Sequence, residues 1–268
     1  VPSDELLHPL AEGFAIHDER PDVVVLLHGW TGSPAHVRLL ADDLDAAGFG
    51  VIAPLLAGHG TDIHDILEVS WREWVESAGT AAQRVLDSGS RLHLAGLSMG
   101  GVISILLATA FEAASVTTIN APIKVRGVVA HVARYLMGGS HRVWQIDGPE
   151  TSPDYASDFA HQYEGTPLGS VADLFTLIDA AKLALPRVTV PALVVQARSD
   201  QVVRPASGPY IYDHIGSLDK RLVWLERSGH VATLDSERHH VAAEVIRHLR
   251  DAAEPASPHR PRQDGYDE

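Results

Sequence analysis

Short, mostly apolar runs alternate along this chain with segments whose apolar residues recur every three or four positions. That alternation constrains the fold more than any other feature. Val23–Leu27, Phe49–Ala53, Leu92–Ala95, Val116–Ile119, Ala192–Gln196 and Leu222–Leu225 have strand length; Val23–Leu27, continuously apolar, reads as a parallel strand buried on both sides. Between them lie helical signals. Ser33 and Pro34 open a stripe of Val37, Leu40, Leu44 and Ala47 that Gly48 closes, with serine as N-cap and proline in the first turn. Ser70-Trp-Arg-Glu73 is a capping box for a helix to about Leu86. Further helices are expected at Val102–Ala110, Ala206–Ile215 and Val241–Leu249. Strand and helix in turn mean an α/β protein, a mostly parallel sheet with helices on both faces.

The rhythm breaks between Ala121 and Pro186. Val125, Val128, Val129, Val132 and Leu136 fall at helical spacing there, as do Val171, Leu174, Phe175 and Ile178. The expected organisation is therefore a core of residues 1–120 and 187–250 with a helical cap, 121–186, inserted between core strands. Residues 251–268, with three prolines among charges and no apolar periodicity, are expected to be a disordered tail.

A chain of 268 residues has room for one large core with such an insertion. It has no cysteine, which removes disulfides, thiolate metal sites and a cysteine nucleophile. Its formal charge of −14 opposes binding to nucleic acid or anionic lipid surfaces. No apolar run approaches the ~20 residues that span a bilayer, and nothing at the start resembles a cleavable signal. A cytoplasmic location is the expectation; secretion stays open because the chain begins at Val1 rather than Met. The oligomeric state, monomer or homodimer, is not legible.

Gly96-Leu97-Ser98-Met99-Gly100 fits G-x-S-x-G and sits between an apolar strand and a helix, the context that motif requires. Alone it also describes an ordinary strand-to-helix turn. A serine hydroxyl becomes a nucleophile only beside a base, and the base needs an orienting carboxylate. In this architecture the order is serine, acid, histidine, each on a loop after a strand. Asp200 follows the strand Ala192–Gln196, and His230 follows Leu222–Leu225 in a Ser-Gly-His loop. A loop aspartate also serves as a helix cap, and Asp235 is a rival acid, although it follows the histidine and is expected to start the last helix. The oxyanion of a tetrahedral intermediate needs two donors: the backbone N–H of Met99 and, from the loop His28-Gly29-Trp30, that of Trp30. His28 is expected to buttress that loop, and Gly58-His59-Gly60 to be structural.

With these residues in hand, LLHGWTGSPAHV, GLSMGG, VVQARSDQVV and SGHVATLD together resemble the α/β-hydrolase group of small bacterial carboxylesterases and monoacylglycerol lipases, over about residues 14–250. The resemblance implies Ser98 as nucleophile, Asp200 and His230 as its partners, and the Trp30 and Met99 amides as oxyanion hole. It implies a helical cap over an apolar acyl tunnel, and no cofactor or metal. Tyr163-Glu164-Gly165-Thr166-Pro167 resembles a stretch of those lipases in which a glutamate contacts glycerol, so Glu164 is a candidate headgroup contact. Gly165 departs from the longer side chain usual there. Gly29, Leu97, Val129 and Leu136 complete the expected substrate lining. The expected activity is hydrolysis of small medium-to-long-chain esters, monoacylglycerols first, through an acyl-enzyme. A short-chain carboxylesterase, a thioesterase or perhydrolase on the same triad, and a silent binding protein of the same fold are the alternatives. Serine at position 98 disfavours aspartate-nucleophile dehalogenases and epoxide hydrolases.

Overall fold

The computed structural model describes residues 8–125, 143–144 and 152–253. In chain order these form β1 (Phe14–Ile16), β2 (Asp22–Leu27), α1 (Arg38–Ala46), β3 (Gly50–Ala53), α2 (Trp71–Asp87), β4 (Arg91–Leu97), α3 (Met99–Ala110) and β5 (Ala113–Ile119). There follow β6 (Val143–Trp144), β7 (Thr166–Pro167), α4 (Val171–Ala184), β8 (Ala192–Ala197), α5 (Ser207–His214), β9 (Lys220–Leu225) and α6 (Arg238–Ala253). The main sheet runs β1-β3-β2-β4-β5-β8-β9, with every neighbouring pair parallel except β1 against β3.

The apolar runs behave as doubly buried strands must. Because successive side chains point to opposite faces, Val23, Val25 and Leu27 of β2 enter one core cluster and Val24 and Leu26 enter another. β8 divides likewise, with Ala192 and Val194 on one side and Leu193, Val195 and Ala197 on the other. α2, α3, α4 and α5 cover the first face; α1 and α6 cover the second. β1 was not anticipated: three residues of half-exposed edge strand leave no periodic signal.

Local chemistry explains two helix ends. Glu73 accepts the Ser70 N–H at 2.8 Å, as the capping box requires, and Gly48 ends α1's turn with φ of +97°. Ser33 is a correction. Its hydroxyl caps no helix and donates instead to the carbonyl of His161 at 2.7 Å; Pro34–Val37 is a 3-10 turn and α1 begins only at Arg38.

Between β5 and β8 lies the inserted cap region, which makes the whole an α/β-hydrolase fold: a mixed, largely parallel sheet flanked by helices, with a helical insertion. The chain enters it at Val125, which bridges to Val203 in the loop after β8. Of the first expected cap helix, everything beyond Val125 (Val129 and Leu136 included) lies outside the described residues. The second is α4, and its Leu177, Ile178, Ala181 and Ala184 belong to the same core cluster as α2 and α3. By packing, α4 is therefore core. The expected tail starts late, since α6 runs to Ala253; residues 254–268 lie outside the described residues.

Candidate active site

The G-x-S-x-G turn is built by close contact. Ser98 sits between β4 and α3 with φ 53° and ψ −120°, a conformation that side-chain-bearing residues rarely adopt. A Cβ on Gly96 would lie 2.1 Å from the Gly100 carbonyl carbon, and one on Gly100 would lie 2.3 Å from the Leu27 oxygen. Only hydrogen fits at either place, so strand and helix meet tightly enough to present Ser98 at the carboxyl edge of the sheet. There the Ser98 N–H donates to the carbonyl of Ile119 at 2.8 Å.

Two later strand ends bring the partners. His230 Nε2 is 2.9 Å from Ser98 Oγ, and His230 Nδ1 is 2.8 Å from Asp200 Oδ2. A carboxylate only accepts, so Nδ1 carries the proton and Nε2 offers its lone pair to the serine hydroxyl. Asp200 is buried, and its other oxygen accepts the N–H groups of Val202 and Val203 at 2.8 Å each. Asp200 therefore caps no helix, since the next one begins at Ser207; one oxygen holds its own loop and the other meets the imidazole.

The expected oxyanion donors flank the serine. The Met99 N–H opens α3, and neither it nor the Trp30 N–H meets an acceptor among the described residues. Gly29 brings the Trp30 loop onto the serine; a Cβ there would stand 3.3 Å from Ser98 Cβ. His28 buttresses this loop as expected. Its Nδ1 donates to the Gly29 carbonyl at 2.9 Å and its Nε2 accepts the Leu56 N–H at 3.2 Å. Burial holds its imidazole well below the usual histidine range, so it is neutral.

Trp30, next to Gly29 in the oxyanion loop, packs with Val125, Val171 and Phe175 in a small apolar cluster. Leu97, expected at the substrate, instead buries its side chain in the core beneath the turn, with Val24, Leu40 and Val245. Glu164 is exposed, and its neighbour Tyr163 is anchored. The Tyr163 hydroxyl donates to Gly58 O at 2.9 Å and accepts the Thr61 N–H at 3.2 Å, while its backbone N–H donates to Thr31 O at 2.9 Å. Gly165 has φ of +105°, which accounts for glycine at that position.

Several residues of the site escaped sequence reasoning. Asp235 does not start the last helix. Its carboxylate accepts the Gly229 N–H at 2.7 Å and pairs with the Ser152 hydroxyl, tying the inserted region to the histidine loop. Glu237 accepts the N–H groups of Glu226, Arg227 and Ser228. Asn120, after β5, bonds to both the acid and the histidine loops. In sequence Asp235 is legible only as a rival acid, and Glu237 and Asn120 are ordinary loop residues. Among the described residues no three His, Asp or Glu side chains group as a metal site, and no helix is long and apolar enough to cross a membrane.

Fold and relay together define a serine hydrolase of the α/β-hydrolase class. A family model described as "Serine aminopeptidase, S33" matches residues 18–237, and the chain belongs to that family. It is 32% identical to a thermostable monoacylglycerol lipase of Bacillus sp. (strain H-257), over 81% of this chain and 86% of that one. It is 30% identical to a carboxylesterase of Bacillus subtilis (strain 168), over 84% and 91% respectively. A solved structure of metagenome-derived lipolytic enzymes superposes with a TM-score of 0.85 at 31% identity, covering 92% of this chain and all of the other. Within its family the chain is a serine carboxylesterase or lipase-type hydrolase, acting on small esters through an acyl-enzyme.

Proposed function

We propose that the enzyme hydrolyses monoacylglycerols and similar small esters of medium-to-long acyl chains, with Ser98 as nucleophile, His230 as general base and acid, and Asp200 as orienting carboxylate. The observation that carries the catalytic assignment is the relay itself, 2.9 Å from Ser98 Oγ to His230 and 2.8 Å from His230 to Asp200. Ser98 Oγ attacks the ester carbonyl carbon while His230 Nε2 takes its proton. The carbonyl oxygen becomes an oxyanion held by the Trp30 and Met99 N–H groups, a contribution typically worth ~3–4 kcal/mol per donor. Collapse breaks the bond to the alcohol, which leaves with the proton from His230. Water then attacks the acyl-enzyme by the same route and releases the acid.

The substrate class rests on three supports. The Bacillus relatives are named a monoacylglycerol lipase and a carboxylesterase. The Trp30, Val125, Val171 and Phe175 cluster gives an acyl chain apolar surface. Glu164 follows Tyr163, whose backbone is bonded to the oxyanion loop at Thr31, so a carboxylate is available to glycerol hydroxyls beside that loop. The test is a hydrolysis panel pairing monoacylglycerols with simple esters of the same acyl chain. Ser98→Ala should abolish all activity and fluorophosphonate labelling with the fold intact; retained turnover overturns the mechanism. Glu164→Gln should lower kcat/KM on the glycerides by about tenfold, the loss of one charge-assisted hydrogen bond, and leave the simple esters unchanged. Equal losses on both would refute the headgroup role.

A further inference from the structure

The buried amide of Asn120 bonds to both the acid loop and the histidine loop. It follows β5, between the strand that carries Ser98 and the strand that leads to Asp200. Its backbone is left-handed, with φ of +48°, and its N–H donates to Val195 O at 2.9 Å. Oδ1 accepts the Ala197 N–H at 2.7 Å and the Gln196 side-chain amide at 3.2 Å. Nδ2 donates to the carbonyl of His230 at 2.7 Å and to that of Gly229 at 3.2 Å. An amide has two donors and two acceptor sites, and here all four are used in a residue with no solvent exposure. The partners settle which end is oxygen, because the Ala197 N–H can only donate and the His230 carbonyl can only accept. The preceding residue, Ile119, takes the Ser98 N–H. Two consecutive residues therefore connect the serine turn, the acid loop and the histidine loop.

We propose that Asn120 is a positioning residue for the reaction: it holds the His230 backbone against the end of β8, and so sets the distance from the imidazole to both Ser98 and Asp200. The inference rests on the serine-hydrolase mechanism above. Glu237 and Asp235 secure the near side of the same loop from the sequence that follows it, whereas Asn120 ties its Gly229-His230 end to the sheet. Misplacing a catalytic group by about an ångström costs on the order of a hundredfold in rate.

The experiment compares Asn120→Ala and Asn120→Asp with the parent enzyme for kcat and KM on a p-nitrophenyl ester, fluorophosphonate labelling rate, thermal midpoint and pH profile. Asn120→Ala is expected to lower kcat and the labelling rate by about 10- to 100-fold with KM changed less than threefold. Asn120→Asp keeps the shape and the bond from Ala197, but turns its second oxygen toward two carbonyls. It can donate to His230 O only while protonated, so the alkaline plateau of the parent profile is expected to become a descending limb. A parent-shaped profile in Asn120→Asp, or a kcat within threefold of parent in a folded Asn120→Ala, overturns the proposal. If the alanine variant fails to fold, the aspartate profile decides alone. Parent enzyme that does not label at Ser98 would instead overturn the mechanism beneath it, which keeps the two failures distinct.

Discussion

Lowering the pH from 7 to 5 should remove several kcal/mol, about a third or more, of this protein's stability through its buried histidines. His36, His59 and His248 are 3%, 2% and 6% exposed, and burial holds each imidazole down to about 4 against 6.5 for the free side chain. The neutral forms are the folded forms. Between pH 6.5 and 4 the unfolded chain binds protons that the folded one refuses, so stability is fully present above 6.5 and is lost as the pH falls toward 4. For one such histidine the loss from pH 7 to 5 is about 2 kcal/mol, and for three about 5–6 kcal/mol. His28 and His93 are also held down by burial and act in the same direction. Against a typical total of ~5–15 kcal/mol, that is a third of the stability or more. Equilibrium urea unfolding followed by tryptophan fluorescence at pH 7, 6 and 5 measures it directly, provided the m-value stays constant. His248→Gln should cut the pH dependence by about a third. A fall of less than about 2 kcal/mol between pH 7 and 5 would refute the assignment of these histidines as buried and neutral.

Two further outcomes test the site's architecture. Gly100→Ala places a methyl group 2.3 Å from Leu27 O and 2.7 Å from His28 O; it should destabilise the protein by roughly 3 kcal/mol or more and abolish fluorophosphonate labelling of Ser98, which a thermal melt and a labelling gel would show. Phe175→Leu removes about 1 kcal/mol of apolar contact from the cluster beside Trp30. The ratio of kcat/KM for a ten-carbon ester over an acetate should fall about fivefold, with labelling by a small fluorophosphonate unchanged.

Much of this protein follows from chain-local physics. A short, continuously apolar, valine-rich run such as Val23–Leu27 reads as a strand buried on both faces. A serine between glycines at a strand end, followed in order by Asp200 and His230 after later strands, points to the relay, because parallel strands deliver their ends to one edge of a sheet. The Ser70 capping box and the closing role of Gly48 were equally legible, since both act within a single turn. Other outcomes depended on partners far away in sequence. Ser33 has the appearance of an N-cap, yet a carbonyl 128 residues away takes its hydroxyl. Leu97 sits beside the nucleophile in sequence but points into the core, because alternate strand residues face opposite ways. Asp235 and Asp200 are both loop aspartates near a histidine, and only the folded chain shows which oxygen meets the imidazole. Asn120 carries no pattern at all. Its bonds come from two distant loops meeting at one buried amide, and buried polar groups must find partners wherever the tertiary fold brings them.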